Sequence, residues 1–193
     1  MRLRTTATFF CFLVPLLASS SASGELTGSL RIGAAIPSIE AGGVELDGDS
    51  GYSIDASFGL RINDFVQWDA AEIAYSSADQ NDAGIGAFTA SSLMFGTGIR
   101  IGALGPDSKF HPYGSIGIGG ALVDFEQGQF TGHTEWGLEW SVGAGVLYDI
   151  SKGRSIGARY RYRSSSYDEA FGIAIPEIDV NIHTIALEIA FGE

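Results

Sequence analysis

The stretch Trp136–Tyr148, W-G-L-E-W-S-V-G-A-G-V-L-Y, decides the fold. Trp136, Leu138, Trp140, Val142, Ala144, Val146 and Tyr148 fall at every second position, and Gly137, Glu139, Ser141, Gly143 and Gly145 fall between them. A period of two is that of an extended strand with one oily and one polar face. Seven further stretches read the same way, at 26–36, 51–62, 66–76, 88–101, 112–124, 155–165 and 180–191. In 66–76 the apolar phase changes between Ala70 and Ile73, which predicts either a bulge near Ala71 or a strand boundary placed elsewhere.

The arginines set the polarity of these strands. Arg159, Arg161 and Arg163 alternate with Ala158, Tyr160 and Tyr162. One Arg facing lipid near the midplane costs about 2–4 kcal/mol, so three would cost about 6–12 kcal/mol, comparable with a whole domain's stability. They must face inward, with hydrocarbon on the outer wall. The pattern therefore predicts an all-β fold: an eight-stranded, antiparallel, up-and-down transmembrane β-barrel.

The ends agree. Arg2 and Arg4, then an apolar run from Phe9 to Leu17, then small residues from Ala18 to Ser23, make a secretory signal over 1–23, with cleavage between about 20 and 24. The barrel domain is then 24–193. Cys11, the single cysteine, lies inside the apolar run, so the mature chain has no disulfide and no thiolate site. Without Arg2 and Arg4 the 11 basic residues fall to 9 against 23 acidic, and the net charge moves from −12 to −14. That excludes nucleic acid as a partner. Apolar content of 45% and a mean hydropathy of +0.16 are high for a chain this rich in glycine and acid. The connections alternate as well: short around 63–64, 105–107 and 151–153, longer over 37–50, 77–87, 125–135 and 166–179.

With that much read, the chain resembles the small OmpA/OmpX-like outer-membrane barrels of Gram-negative bacteria. The resembling segments are F-G-L-R-I-N-D-F-V at 58–66, H-P-Y-G-S-I-G-I-G at 111–119 and S-V-G-A-G-V-L-Y-D-I-S-K-G-R-S-I-G-A-R-Y-R-Y at 141–162. Ile185, Leu187, Ile189 and Phe191 resemble the carboxy-terminal signal read by the barrel-assembly machinery, with Gly192 and Glu193 added after the aromatic. The resemblance implies placement in the cell outer membrane as a monomer among lipid and lipopolysaccharide, with both termini on the periplasmic side. It implies no cofactor.

Charge inside a barrel has to be paired. Counting along the strands sets Arg163 near Glu139, Arg159 within a diagonal of Glu188, and Arg31 close to Asp55, with Arg161 in the same lumen network. Such pairs fill and fix a narrow lumen, and an eight-stranded barrel is only wide enough for its own side chains or one small ligand. A gate passing water or small ions is the alternative use. The long connections are acidic, and Asp47 and Asp49 are candidate loop ligands for a hard cation, although no full calcium loop surrounds them. His111, His133 and His183 lack the spacing to a serine that a catalytic pair on the barrel wall needs, so no enzyme is expected and the three are expected at the interface or in loops. Gly114, Gly117, Gly119 and Gly120 are read as small residues on a crowded inner face. The expected role is structural or surface-interactive, through long acidic loops. The alternatives are a narrow pore and a soluble, lipocalin-like ligand carrier.

Overall fold

The computed structural model describes residues 24–192 apart from 42–43, 83–85, 106–107, 128–129, 135 and 171–172. The secretory signal expected over 1–23 lies outside the described residues. Those described form β1 (Glu25–Ala41), β2 (Val44–Asp47), β3 (Gly51–Arg61), β4 (Val66–Asp82), β5 (Gly86–Gly102), β6 (Phe110–Gln127), β7 (Phe130–His133), β8 (Gly137–Ser151), β9 (Arg154–Ala170) and β10 (Ile173–Gly192). All pairings are antiparallel. Eight of these strands follow each other around a ring, and β10 pairs back onto β1 to close it. The two four-residue strands lie off the ring: β2 folds back on the end of β1, and β7 on the end of β6. The start of β1 and the end of β10 lie at the same end of the barrel as the short turns.

The faces are as the arginines required. Leu30, Ile32, Ile54, Ile116, Ile118, Ile185 and Leu187 stand on the outer wall, Leu187 at 70% exposure, while Arg31, Arg161 and Arg163 inside are 1% exposed. The expected bulge is present. Opposite β5 the register slips between Asp69 and Glu72, and opposite β3 between Phe58 and Leu60. Thr97 fastens it, donating its hydroxyl hydrogen to the Asp69 carbonyl (2.8 Å) while accepting from Trp68 Nε1 (2.9 Å).

The strands are longer than the sequence pattern suggested, and most of what reads as long loops is sheet. β10 has 20 residues. At about 3.3 Å per residue and a tilt near 40° it climbs about 50 Å, twice the roughly 25 Å apolar band of such barrels. The reason is an inversion of polarity along the longer strands. On β10, Ile185, Leu187, Ile189 and Phe191 face out; beyond Thr184 the outward residues become His183, Asn181 and Asp179, and the inward ones become Ile182, Val180 and Ile178. On β1 the same exchange puts Ile36 outside, then Ser38 and Glu40 outside with Ile39 buried. Alternation continues with its sign reversed, so a search for outward apolar residues stops where β-pairing does not. The portion past the exchange has the polarity of a soluble barrel.

Aromatic side chains mark the exchange. Tyr52 meets Tyr75 at 6.0 Å between centroids, Phe95 meets Trp136 at 6.1 Å, and Trp140 meets Tyr162 at 5.3 Å. Phe65, Trp68, Phe110, Tyr148 and Phe191 sit toward the short-turn end. Two aromatic girdles with an apolar wall between them bound a hydrocarbon layer. The boundary makes a testable contrast on the outer wall. Leu187→Arg, inside the band, lowers the unfolding free energy in phospholipid vesicles by about 2–4 kcal/mol, and Ser164→Arg, just past the girdle, by less than about 0.5 kcal/mol; urea titration of the refolded variants measures both.

Candidate functional site: the lumen network and the charged ends

Five guanidiniums and five carboxylates occupy the lumen among the described residues: Arg31, Arg100, Arg159, Arg161 and Arg163 against Asp55, Asp69, Glu72, Glu139 and Glu188, all buried. The counts cancel. Glu72 is the hub, accepting from Arg161 Nη1 at 2.8 Å, Arg31 Nη1 at 3.2 Å and Arg159 Nη1 at 3.4 Å. Glu188 is the second, accepting from Arg100 Nη1 at 2.7 Å, Arg31 Nε at 3.0 Å and the Tyr113 hydroxyl. Arg100 Nε also donates to Asp69 at 2.8 Å, and Arg163 grips Glu139 with Nε and Nη2, both at 2.8 Å.

The bulge makes this possible. Asp69 and Glu72 are three residues apart, so an unbroken strand would aim them at opposite faces. The extra residue at Ala70–Ala71 turns both inward. Small neighbours supply the room: a Cβ on Gly145 would lie 2.5 Å from the Tyr113 hydroxyl, and one on Gly117 would lie 2.8 Å from Ser141 Oγ. Ser29, Ser57, Ser92, Ser115 and Ser141 accept further guanidinium hydrogens.

Several expectations need correction. Arg31 stands opposite Asp55 in register, yet its guanidinium turns to Glu188 and Glu72. Arg159 bonds Glu72, with Ala186 opposite it across the strand pair, so the expected diagonal to Glu188 is not the ion pair it makes. Glu72 takes part in both differences, accepting from Arg31 at 3.2 Å and from Arg159 at 3.4 Å. Gly114 and Gly120 face outward, Gly120 beneath the ring of Trp136; Gly117 and Gly119 face in. His111 is buried, bridging the Ala103 carbonyl (2.8 Å) and Asp149 (3.0 Å). His183 lies in the outer girdle against Tyr160 and Tyr162, and His133 is exposed on β7. Asp49 is exposed with its backbone N–H on the Asp79 carbonyl, while the Asp47 side chain lies outside the described residues. No group of three or more metal-binding side chains is gathered among the described residues.

Sequence reading missed Arg100, Asp69 and Glu72. Arg100 sits between Ile99 and Ile101, so the argument that turned the β9 arginines inward places it too. The acidic pair was recoverable from the phase change at Ala70–Ala71.

Outside the lumen, charge is sorted by end. Arg61, Lys109, Lys152 and Arg154 are all at the short-turn end, where Arg61 meets Glu25 at 2.8 Å. With five arginines in the lumen, they complete the nine basic residues after position 4. The long-hairpin segments 38–50, 77–89, 124–136 and 164–182 carry 13 carboxylates and no Lys or Arg.

The profile of the outer membrane protein β-barrel domain family matches residues 9–191. The chain belongs to this family. Among solved structures, Neisserial surface protein A is similar at a TM-score of 0.58 and 17% identity, over 85% of this chain and 96% of that one. Ail, the attachment invasion locus protein of Yersinia pestis, matches at 0.48 and 14%, over 86% and 99%. OprG of Pseudomonas aeruginosa matches at 0.47 and 15%, over 87% and 96%. At these identities the likeness is one of fold. No curated protein sequence matches the chain.

Removing the hub carboxylate leaves three guanidiniums short of a partner. Glu72→Ala lowers the unfolding free energy by about 3–5 kcal/mol, whereas Arg61→Ala, which breaks a half-exposed pair, costs less than about 1 kcal/mol. Urea titration of both variants in the same vesicles gives the comparison.

Proposed function

We propose that this outer-membrane barrel is non-catalytic and acts as an anchored, anionic contact surface: its long-hairpin end faces away from the cell and engages cationic groups. One observation carries the reading, the sorting of charge along the axis. The lumen is neutral, the short-turn end holds all the remaining basic residues, and the far end is left with carboxylates alone. Glu40, Asp79, Asp124 and Glu126 on that end are exposed. Same-sign charge in such density costs self-repulsion and is relieved by a positive partner.

A cationic peptide segment or polyamine fits this surface directly. Lipopolysaccharide phosphates, being anionic, fit it only across divalent cations. The neutral, cross-bonded lumen supports a structural barrel and gives no room to a reaction centre. Delivery by a cleaved leader and insertion by the barrel-assembly machinery, through the outward row Ile185, Leu187, Ile189 and Phe191, belong to the same reading.

A fluorescent oligolysine peptide tests it on the protein refolded into zwitterionic nanodiscs. Binding weakens steeply as salt rises from about 0.1 M to about 1 M and the Debye length falls from about 10 Å to about 3 Å. A variant carrying Asp79→Asn, Asp124→Asn, Glu126→Gln and Asp179→Asn binds at least about tenfold more weakly at low salt. Equal affinity in parent and variant, or binding indifferent to salt, sinks the reading.

A further inference from the structure

The lumen changes character at the level of the outer girdle. Ala74, Met94 and Ala121 lie directly abreast on β4, β5 and β6, and all three are fully buried. Above them Ile39 on β1, Val123 on β6 and Val180 on β10 join the same buried cluster, with Phe88 and Phe125 packed on it. A cavity beside Ile39, Ala90, Val123, Val180 and Ile182, with Ser76 and Ser92 on its wall, has about 10 Å³, room for no more than one water. Two hydroxyls at this level are engaged, Ser92 Oγ accepting from Arg163 at 3.2 Å and Ser165 Oγ donating to the Val180 carbonyl at 3.4 Å, while the Tyr167 hydroxyl of the same cluster is buried without a protein partner.

The opposite mouth differs. Leu104, Tyr113 and Leu147 meet there, yet Thr27, Gln67 and His111 point inward beside them, and Arg61 and Glu25 are partly exposed. In the middle, Arg159 Nε, Arg161 Nε and Arg163 Nη1 are buried without a protein acceptor, so the charged layer offers hydrogen bonds to water and small ions. An ion entering from the short-turn side finds ligands as far as Glu139 and Arg163. Past Met94 the buried wall is mostly alkyl, with Ser76, Ser165 and Tyr167 set among the apolar side chains.

We infer that the apolar collar around Met94 is a dehydrated seal, and that this collar rather than the ion-pair network closes the lumen to ions. Shedding a hydration shell in a ring of alkyl groups is a large barrier, and hydrophobic constrictions close pores by dewetting. Exchange of partners among the arginines beneath the collar would leave conduction untouched. Wetting the collar would start it.

Planar-bilayer recordings on the refolded mature chain test the assignment, with heat-modifiable gel migration confirming that each variant is folded. The parent and Glu139→Gln show near-zero conductance. The double variant Met94→Ser, Val123→Thr conducts at least about tenfold above the parent, and Val180→Ser, a milder change elsewhere on the ring, shows a smaller increase in the same direction. A parent that conducts overturns the inference, as does a Glu139→Gln variant that conducts. Folded collar variants that remain as closed as the parent overturn it equally; should the double variant fail to fold, Val180→Ser and Glu139→Gln decide between collar and network.

Discussion

Electroneutrality inside a bore too narrow to hydrate ions separately is the constraint on which this molecule depends. A guanidinium cannot face hydrocarbon, and it cannot stand alone in the lumen. Five of them therefore bring five carboxylates inside, and the backbone yields to accommodate the pairing. The bulge on β4 costs the sheet a regular ladder, and in exchange Asp69 and Glu72 share a face. Glycines and serines take the positions from which larger side chains would push the ion pairs apart. Such a network adds little net stability over an apolar filling, but removal of any one member strands the rest. It fixes one packing of the interior.

The second organising fact is that the longer strands pass through two solvents. Within the hydrocarbon layer the sheet is inside-out, and beyond the girdle it reverts to the arrangement of a water-soluble protein. The apolar cluster around Met94 is the core of that projecting portion. It holds the hairpins together without disulfides in a chain whose only cysteine is Cys11. The acidic end thus rests on a packed support, with its outer wall tied by side-chain bonds such as Thr89 to Asp79 and Ser91 to Ser77.

Much of this was legible in the residues before any coordinates. The eight strands, their inward arginines, the irregularity near Ala71 and the proximity of Arg163 to Glu139 follow from period two and the cost of charge in lipid. What escaped did so for physical reasons. Glu72 lies just past a phase change, so simple alternation puts it on the wrong face. Arg100 stands among glycines, where the apolar rhythm is faint. The extent of the strands was hidden because Ile178, Val180 and Ile182 read as the opposite phase to Ile185, Leu187 and Ile189 unless the surrounding medium is taken to change between them. Partner choice among ion pairs is the least legible: of its two neighbours in register Arg31 bonds Glu188 and not Asp55, and it also reaches Glu72 on β4.

The seam between the first and last strands carries a further implication. Arg31 faces Glu188 across it, and they bond directly. A slip of two residues at the seam would set Arg31 against Ala186 or Ala190, and a slip of one would turn its guanidinium toward the bilayer. The terminal strand thus acts as a clasp that fastens in a single position. Without it, Arg31 and Arg100 both lose a carboxylate they bond, so a chain cut short before β10 holds five lumen guanidiniums against four carboxylates. Correct closure of the barrel is thereby checked by one residue, Glu188, which completes the circuit.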